Sequence, residues 1–108
     1  MNWILKKFES LSANELYAIL RLRSEVFVVE QNCVFQDMDN KDQPCYHLMG
    51  WKDDQLAAYT RLVPPGLNYA EASIGRVVTS PAARGGGIGK TLMEKSIEEV
   101  FNLYGQGP

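Results

Sequence analysis

The chain has 108 residues, 45% of them hydrophobic and 22% charged, which allows one cooperative core and excludes wholesale disorder. Eleven basic against thirteen acidic residues leave a net charge of −2, which argues against a nucleic-acid partner held by its phosphates. No apolar run approaches the ~20 residues of a membrane span, so no membrane partner is expected. Lys6, Lys7 and Glu9 interrupt the early apolar stretch Trp3 to Leu5, so the N-terminus does not read as a signal peptide. Cys33 and Cys45 then read as free thiols in a reducing cytoplasm, the expected location.

Asn2 to Phe8 alternates weakly, Trp3 and Leu5 against Ile4 and Lys6, and reads as a short strand. Ser12 stands three residues before Glu15, the spacing of a capping box at a helix start. Leu16, Ile19, Leu20, Arg23, Val26 and Phe27 follow at helical spacing, which predicts a helix from Ala13 to about Glu30. The β-branched cluster Val26, Val28 and Val29 weakens its last turn, which is expected to bend or fray.

From Asn32 to Pro44 the apolar pattern stops, and Asp37, Asp39, Asn40 and Asp42 predict a loop. Cys45–Trp51 and Leu56–Val63 read as an antiparallel hairpin closed by Lys52 to Gln55. A further strand runs from about Ala72 to Thr79, with Ile74, Arg76 and Val78 on one face and Gly75 and Val77 on the other. Pro81 breaks it. A glycine-rich turn then leads into a second helix expected to bury Ile88, Leu92, Ile97, Val100, Phe101 and Tyr104, and to end at Gly105 with Pro108 just beyond.

The order β-α-β-β-β-α is an α+β plan built on a meander, with no linker or repeat. A helix leaving a strand normally returns the chain to the same sheet, whereas here the sequence ends with the helix. The expectation is therefore a single domain over residues 1–108 that lacks its C-terminal strands and helix, or is completed by another chain. The edge of the Ala72–Thr79 strand would invite a second copy, as a homodimer.

The most informative segment is Val77 to Lys90, with Gly85, Gly86, Gly87 and Gly89 in one turn. Successive glycines let backbone N–H groups converge on an anion without a Cβ in the way. A helix starting there adds free N–H donors and a positive dipole end, and Arg84 and Lys90 add charge. This spells a phosphate or pyrophosphate site. A Walker A loop would fit Gly89, Lys90 and Thr91 but needs glycine where Arg84 stands. A dinucleotide fingerprint would need a parallel βαβ unit, which a meander does not provide. The pattern Arg/Gln-x-x-Gly-x-Gly/Ala, after a strand and opening a helix, is matched in full by Arg84, Gly87 and Gly89.

With these residues in view the chain resembles the GNAT acyltransferases, N-acetyltransferases that use acetyl-CoA, and within them the ElaA-like branch. The resemblance rests on Arg23 to Gln31 in the first helix, Asp37-Met38-Asp39 after it, and His47-Leu48 opening the hairpin. Ile74-Gly75-Arg76-Val77 leading into Arg84 to Gly89 completes it. It implies a GNAT-like mixed sheet with the CoA pyrophosphate on the turn Arg84, Gly85, Gly86, Gly87, Ile88, Gly89 and Lys90. It also implies that the pantetheine arm lies along Val77, Val78 and Thr79 like an added strand. The reaction implied is direct attack of an amine, from a small molecule or a peptide, on the thioester. An N–H near Val78 is the candidate oxyanion donor. The tyrosine that commonly protonates the leaving thiolate would belong to the missing end, so weak activity of the 108-residue chain alone is expected.

Glu30 and Gln31 end an apolar stretch where an acceptor amine could approach, although a solvated helix end explains them as well. His47 is a candidate base near neutral pH, against the plainer reading of a hydrogen-bonded structural histidine. Lys90 is a phosphate ligand or a solvated helix residue in equal measure. Arg61 and Arg76 are expected to pair with acids across the sheet, with an acidic acceptor as the other reading. Asp37, Asp39 and Asp42 lack the glycine and terminal glutamate of a calcium loop, so no metal is expected. A non-catalytic module that binds CoA or a nucleotide and acts through assembly is the reading from a different class.

Overall fold

The computed structural model describes residues 1–34 and 36–105, so Phe35 in the predicted loop and Pro108 beyond the second helix lie outside the described residues. The chain opens with β1 (Asn2–Lys7) and a single 3₁₀ turn, Phe8–Ser10. Helix α1 (Ala13–Arg23) starts on the capping box read from the sequence. Ser12 Oγ accepts from the Glu15 N–H at 3.0 Å, and Glu15 Oε1 accepts from the Ser12 N–H at 2.8 Å. Lys6 holds the same glutamate at 3.0 Å, so the cap also ties the helix start to β1.

Where the valine cluster was expected to bend the helix, the turns widen: Ser24–Glu30 is π-helical. Gln31 N–H donates to Val26 O at 3.3 Å and Cys33 N–H to Val28 O at 3.0 Å, both five residues back. Such segments collect where a local rule has been overridden, frequently at functional sites.

Strands β2 (Tyr46–Lys52), β3 (Gln55–Val63) and β4 (Ser73–Thr79) form the meander. The sheet order is β1-β2-β3-β4, and all three pairings are antiparallel. Helix α2 (Ile88–Tyr104) follows the 3₁₀ turn Pro81–Ala83 and ends on Gly105 at φ +72° and ψ −171°, a positive-φ conformation suited to glycine.

A helix covers each face of the sheet. On one face Ile19, Leu22 and Val26 pack on Met49, Leu56, Tyr59 and Val78; on the other Ile88 and Leu92 pack on Leu48, Ala57 and Ala58. Coverage on both sides explains why β3 is buried from Leu56 to Val63. The face of α2 differs from the expected one: Ile97 and Phe101 are 47% and 51% exposed. The buried stripe runs Ile88, Leu92, Ser96, at steps of four. Ser96 fits because its Oγ bonds both Thr60 Oγ1 (2.8 Å) and Leu92 O (2.7 Å), so no polar group is orphaned. No described helix is long and apolar enough to cross a membrane.

Ser12→Ala removes the acceptor half of the box and leaves the Glu15 N–H without its partner. We expect a loss of about 1 kcal/mol, with Glu15→Gln milder, read from urea unfolding midpoints.

Candidate active site

The predicted loop is held by a charge cluster. Arg23, at the end of α1, bonds Asp37 through Nε (2.7 Å) and Asp42 through Nη1 (2.9 Å), and is fully buried. Arg61 of β3 grips Asp39 with both terminal nitrogens, at 2.8 and 3.0 Å, and shares Asp42 Oδ1 at 2.9 Å. Arg76 of β4 bonds Asp37 Oδ1 and the Asp37 carbonyl, both at 2.8 Å, and touches Asp39 at 3.5 Å. The expected partners of Arg61 and Arg76 across the sheet are therefore corrected: both reach the loop aspartates instead. The site has three positive and three negative groups, so the buried sum is neutral. A lone buried member left by truncation costs about 3–5 kcal/mol, so the set behaves as one unit.

His47 belongs to this cluster's floor and is 1% exposed. Its Nδ1 lies 2.6 Å from the Tyr59 hydroxyl and its Nε2 2.9 Å from the Asp42 carbonyl. Burial pulls its pKa below the ordinary value of 6.5, which keeps it neutral. Enclosed and hydrogen-bonded at both ring nitrogens, it has the surroundings of the plainer reading, a structural histidine. Cys45 is buried too; its thiol lies 3.0 Å from the Lys41 carbonyl, and burial pushes its pKa up to about 11.

Strand β4 carries an irregularity beside this cluster. Tyr59 faces Val78 and Arg61 faces Gly75, so Arg76 and Val77 together oppose Thr60. Arg76 takes φ +51° to make room. That conformation costs a non-glycine residue roughly 1–2 kcal/mol, less than the ~1.5–3 kcal/mol of each charge-assisted bond to Asp37. The clamp therefore outweighs the strain. Past the bulge, Ser80 N–H donates to Ala57 O at 2.8 Å. Alternation then turns Val78 toward β3 and leaves the N–H groups of Val77 and Thr79 on the far edge. Val78 fills the core at 3% exposure, whereas Val77 is 40% exposed. The outward donor near Val78 is thus the Val77 amide, since the Val78 N–H belongs to the ladder.

At the other end of β4 the glycine turn is exposed from Arg84 to Gly87. Gly85 and Gly87 sit at φ +106° and +76°, values that L side chains rarely adopt. Gly87 is the N-cap of α2 and has no side chain to cap it, while Thr91 N–H returns to Gly87 O at 3.1 Å. The amides of Ile88, Gly89 and Lys90 are the first-turn donors that this helix leaves for an anion.

Arg84 does not point into the turn. Its guanidinium bonds the Thr79 carbonyl (3.2 Å) and Oγ1 (3.3 Å), and pairs with Glu30 at 3.0 Å. That pair brings the end of the π-helical segment to the glycine turn, so Glu30 and the glycines share one exposed corner although 54 positions separate Glu30 from Arg84.

Among the described residues, β4 therefore has an unpaired edge and leads into a helix whose first amides are free. Residues 13–106 match the Acetyltransferase (GNAT) family, and the chain belongs to that family, in its ElaA-like branch. It is 43% identical to Protein ElaA of Escherichia coli, over all of this chain and 72% of that protein. It is 44% identical to a UPF0039 protein of Synechocystis sp., over 95% of this chain and 70% of that protein. The crystal structure of an acyl-CoA N-acyltransferase from Pseudomonas aeruginosa superposes with a TM-score of 0.92 at 46% identity, covering 97% of this chain and 73% of that one. Acyl transfer is the chemistry of this family, and the α+β architecture expected from the sequence is shared with these structures.

The titration of the cluster has a definite sign. His47 has a lowered folded pKa, so stability falls as pH drops below about 6.5, the ordinary histidine value. Arg61 holds the Asp39 carboxyl well below its ordinary 3.8, so stability falls again below about pH 4. Urea midpoints measured from pH 7.5 to 3.5 should show the first step and the onset of the second. His47→Gln should flatten the upper one, whose slope cannot exceed ~1.4 kcal/mol per pH unit for a single proton.

Proposed function

We propose that this chain binds acetyl-CoA and transfers its acetyl group to an amine by direct attack. One observation carries the reading: three uncapped first-turn amides of α2 open onto an exposed turn beside the free edge of β4. In this reading the pyrophosphate lies on the turn from Arg84 to Lys90. The pantetheine arm pairs along Val77 to Thr79, where the peptide groups of Val77 and Thr79 lack a strand partner among the described residues. A Walker A or dinucleotide site is disfavoured because both open parallel units, and every described pairing here is antiparallel.

Direct attack requires a deprotonated amine, a donor for the thioester oxygen and a proton for the leaving thiolate. The Val77 N–H is our donor for the oxygen. Glu30 is the carboxylate beside this corner, and its contact with Arg84 gives it a second part. Arg84 covers the Thr79 carbonyl that the arm would use, so bound carrier must draw the guanidinium toward its phosphates and release Glu30 toward an incoming amine. An exposed pair of this kind is weak enough to exchange for a pyrophosphate. The acceptor is a small-molecule or peptide amine. A second copy on the β4 edge would compete with the arm for the same peptide groups.

Thermal shifts with CoA, acetyl-CoA, ATP and NAD test the carrier; we expect the first two to stabilise and the others not to. Gly89→Glu separates ligand binding from folding. It removes a helix glycine and adds an acid at a helix start, so the free protein should melt no lower than the original. Its carboxylate would repel the phosphates, so acetyl-CoA affinity should fall tenfold or more by calorimetry, about 1.4 kcal/mol. Equal stabilisation by ATP, or full affinity in Gly89→Glu, would refute the assignment.

A further inference from the structure

The resemblance rested on four separated stretches, and the structure gathers charged residues from three of them, Arg23, Asp37, Asp39 and Arg76, into one cluster. Only Arg76 among the three arginines reaches β4, and it sits on the bulge itself. Register arithmetic shows what the bulge does. If the pairing Val63–Ser73, Leu62–Ile74, Arg61–Gly75 continued without an extra residue, Val77 would face Tyr59. Its N–H would then enter the β3 ladder, because Tyr59 turns its peptide groups toward β4. With the extra residue, Val78 takes that place and the Val77 N–H turns to the open edge.

We propose that Asp37 and Arg76 are positioning residues: their clamp holds the extra residue in β4 and so keeps the Val77 N–H out of the ladder and aimed where the thioester carbonyl would lie. The clamp is suited to this. Asp37 bonds Arg76 with both its carboxylate and its carbonyl, and Asp37 is itself fixed by the buried Arg23. The anchor thus runs from α1 through the loop to the one β4 residue at positive φ. The catalytic consequence rests on the acetyl-transfer reading; the backbone consequence does not.

Two variants separate conformation from charge. Arg76→Ala loses the clamp and disfavours positive φ, whereas Arg76→Gly loses the clamp but adopts positive φ without strain. Arg76 is the most exposed of the three arginines, so both variants should fold, as near-native circular dichroism would verify. In the ligand-free protein, amide hydrogen exchange at Val77 should be fast in the wild type and in Arg76→Gly. In Arg76→Ala it should slow tenfold or more as Val77 joins the ladder. In acetyl transfer, Arg76→Ala should lose about 100-fold in kcat, the effect of removing one oxyanion donor, with the acetyl-CoA Kd little changed. Arg76→Gly should recover most of that loss.

Identical Val77 exchange in all three proteins would overturn the proposal. So would Ala and Gly variants equally impaired in kcat, which would assign the role to the guanidinium charge. If the wild type transfers no acetyl group to any amine tested, the acetyl-transfer reading fails, and the exchange comparison still decides the clamp.

Discussion

Three guanidinium groups and three carboxylates meet in one cluster, four of them buried and Arg76 and Asp39 at its rim, and the rest of the molecule is arranged around keeping them together. Each carboxylate bonds two arginines, and Arg23 also lies 5.9 Å over the Tyr59 ring. Taking such ions out of water is costly, and this close pairing offsets it, although the buried Arg61 Nε stays without a partner among the described residues. The segment that supplies the aspartates has no helix or strand among its described residues, and its Val34 and Met38 are exposed, so hydrophobic burial of these side chains does not fasten it. Charge does so instead. The cluster thereby joins α1, an irregular loop and two strands that share no backbone bonds with that loop.

Strand β4 is consequently governed at two points. At its middle, Arg76 is drawn out of register by Asp37; at its end, Arg84 folds over Thr79 and reaches Glu30. The π-helical segment spans the distance between these two controls, with Arg23 just before it and Glu30 as its last residue. The two contacts differ in kind. The first is part-buried and made of two 2.8 Å bonds to one residue, whereas the second is solvent-exposed and weaker, as the proposed displacement by a ligand requires.

Helix α2 meets the same corner from the opposite face of the sheet. Its buried stripe of Ile88, Leu92 and Ser96 seats the helix on β3, which holds the uncapped first turn against the end of β4. A side-chain cap at Gly87 would satisfy those amides and close the site. In the proposed reading, the glycine that leaves them free gives up local helix stability for an anion site.

What could be read from the residues was local: the Ser12–Glu15 cap, the period-two strands, the hairpin turn, and the glycine run with its flanking basic residues. Each depends on neighbours within a few positions, so spacing carries it. The valines after Arg23 also announced a weakened helix, though not that the turns would widen rather than fray. The partners of Arg61 and Arg76, the burial of His47 and the exposure of Ile97 and Phe101 were decided only in three dimensions. They depend on which segment crosses over which, across separations of up to 39 residues for Arg76 and Asp37. The same holds for the Val77 amide. Strict alternation along β4 would have sent it into the ladder, and the single extra residue that reverses it is held by a carboxylate from a distant loop, which no pattern within the strand records.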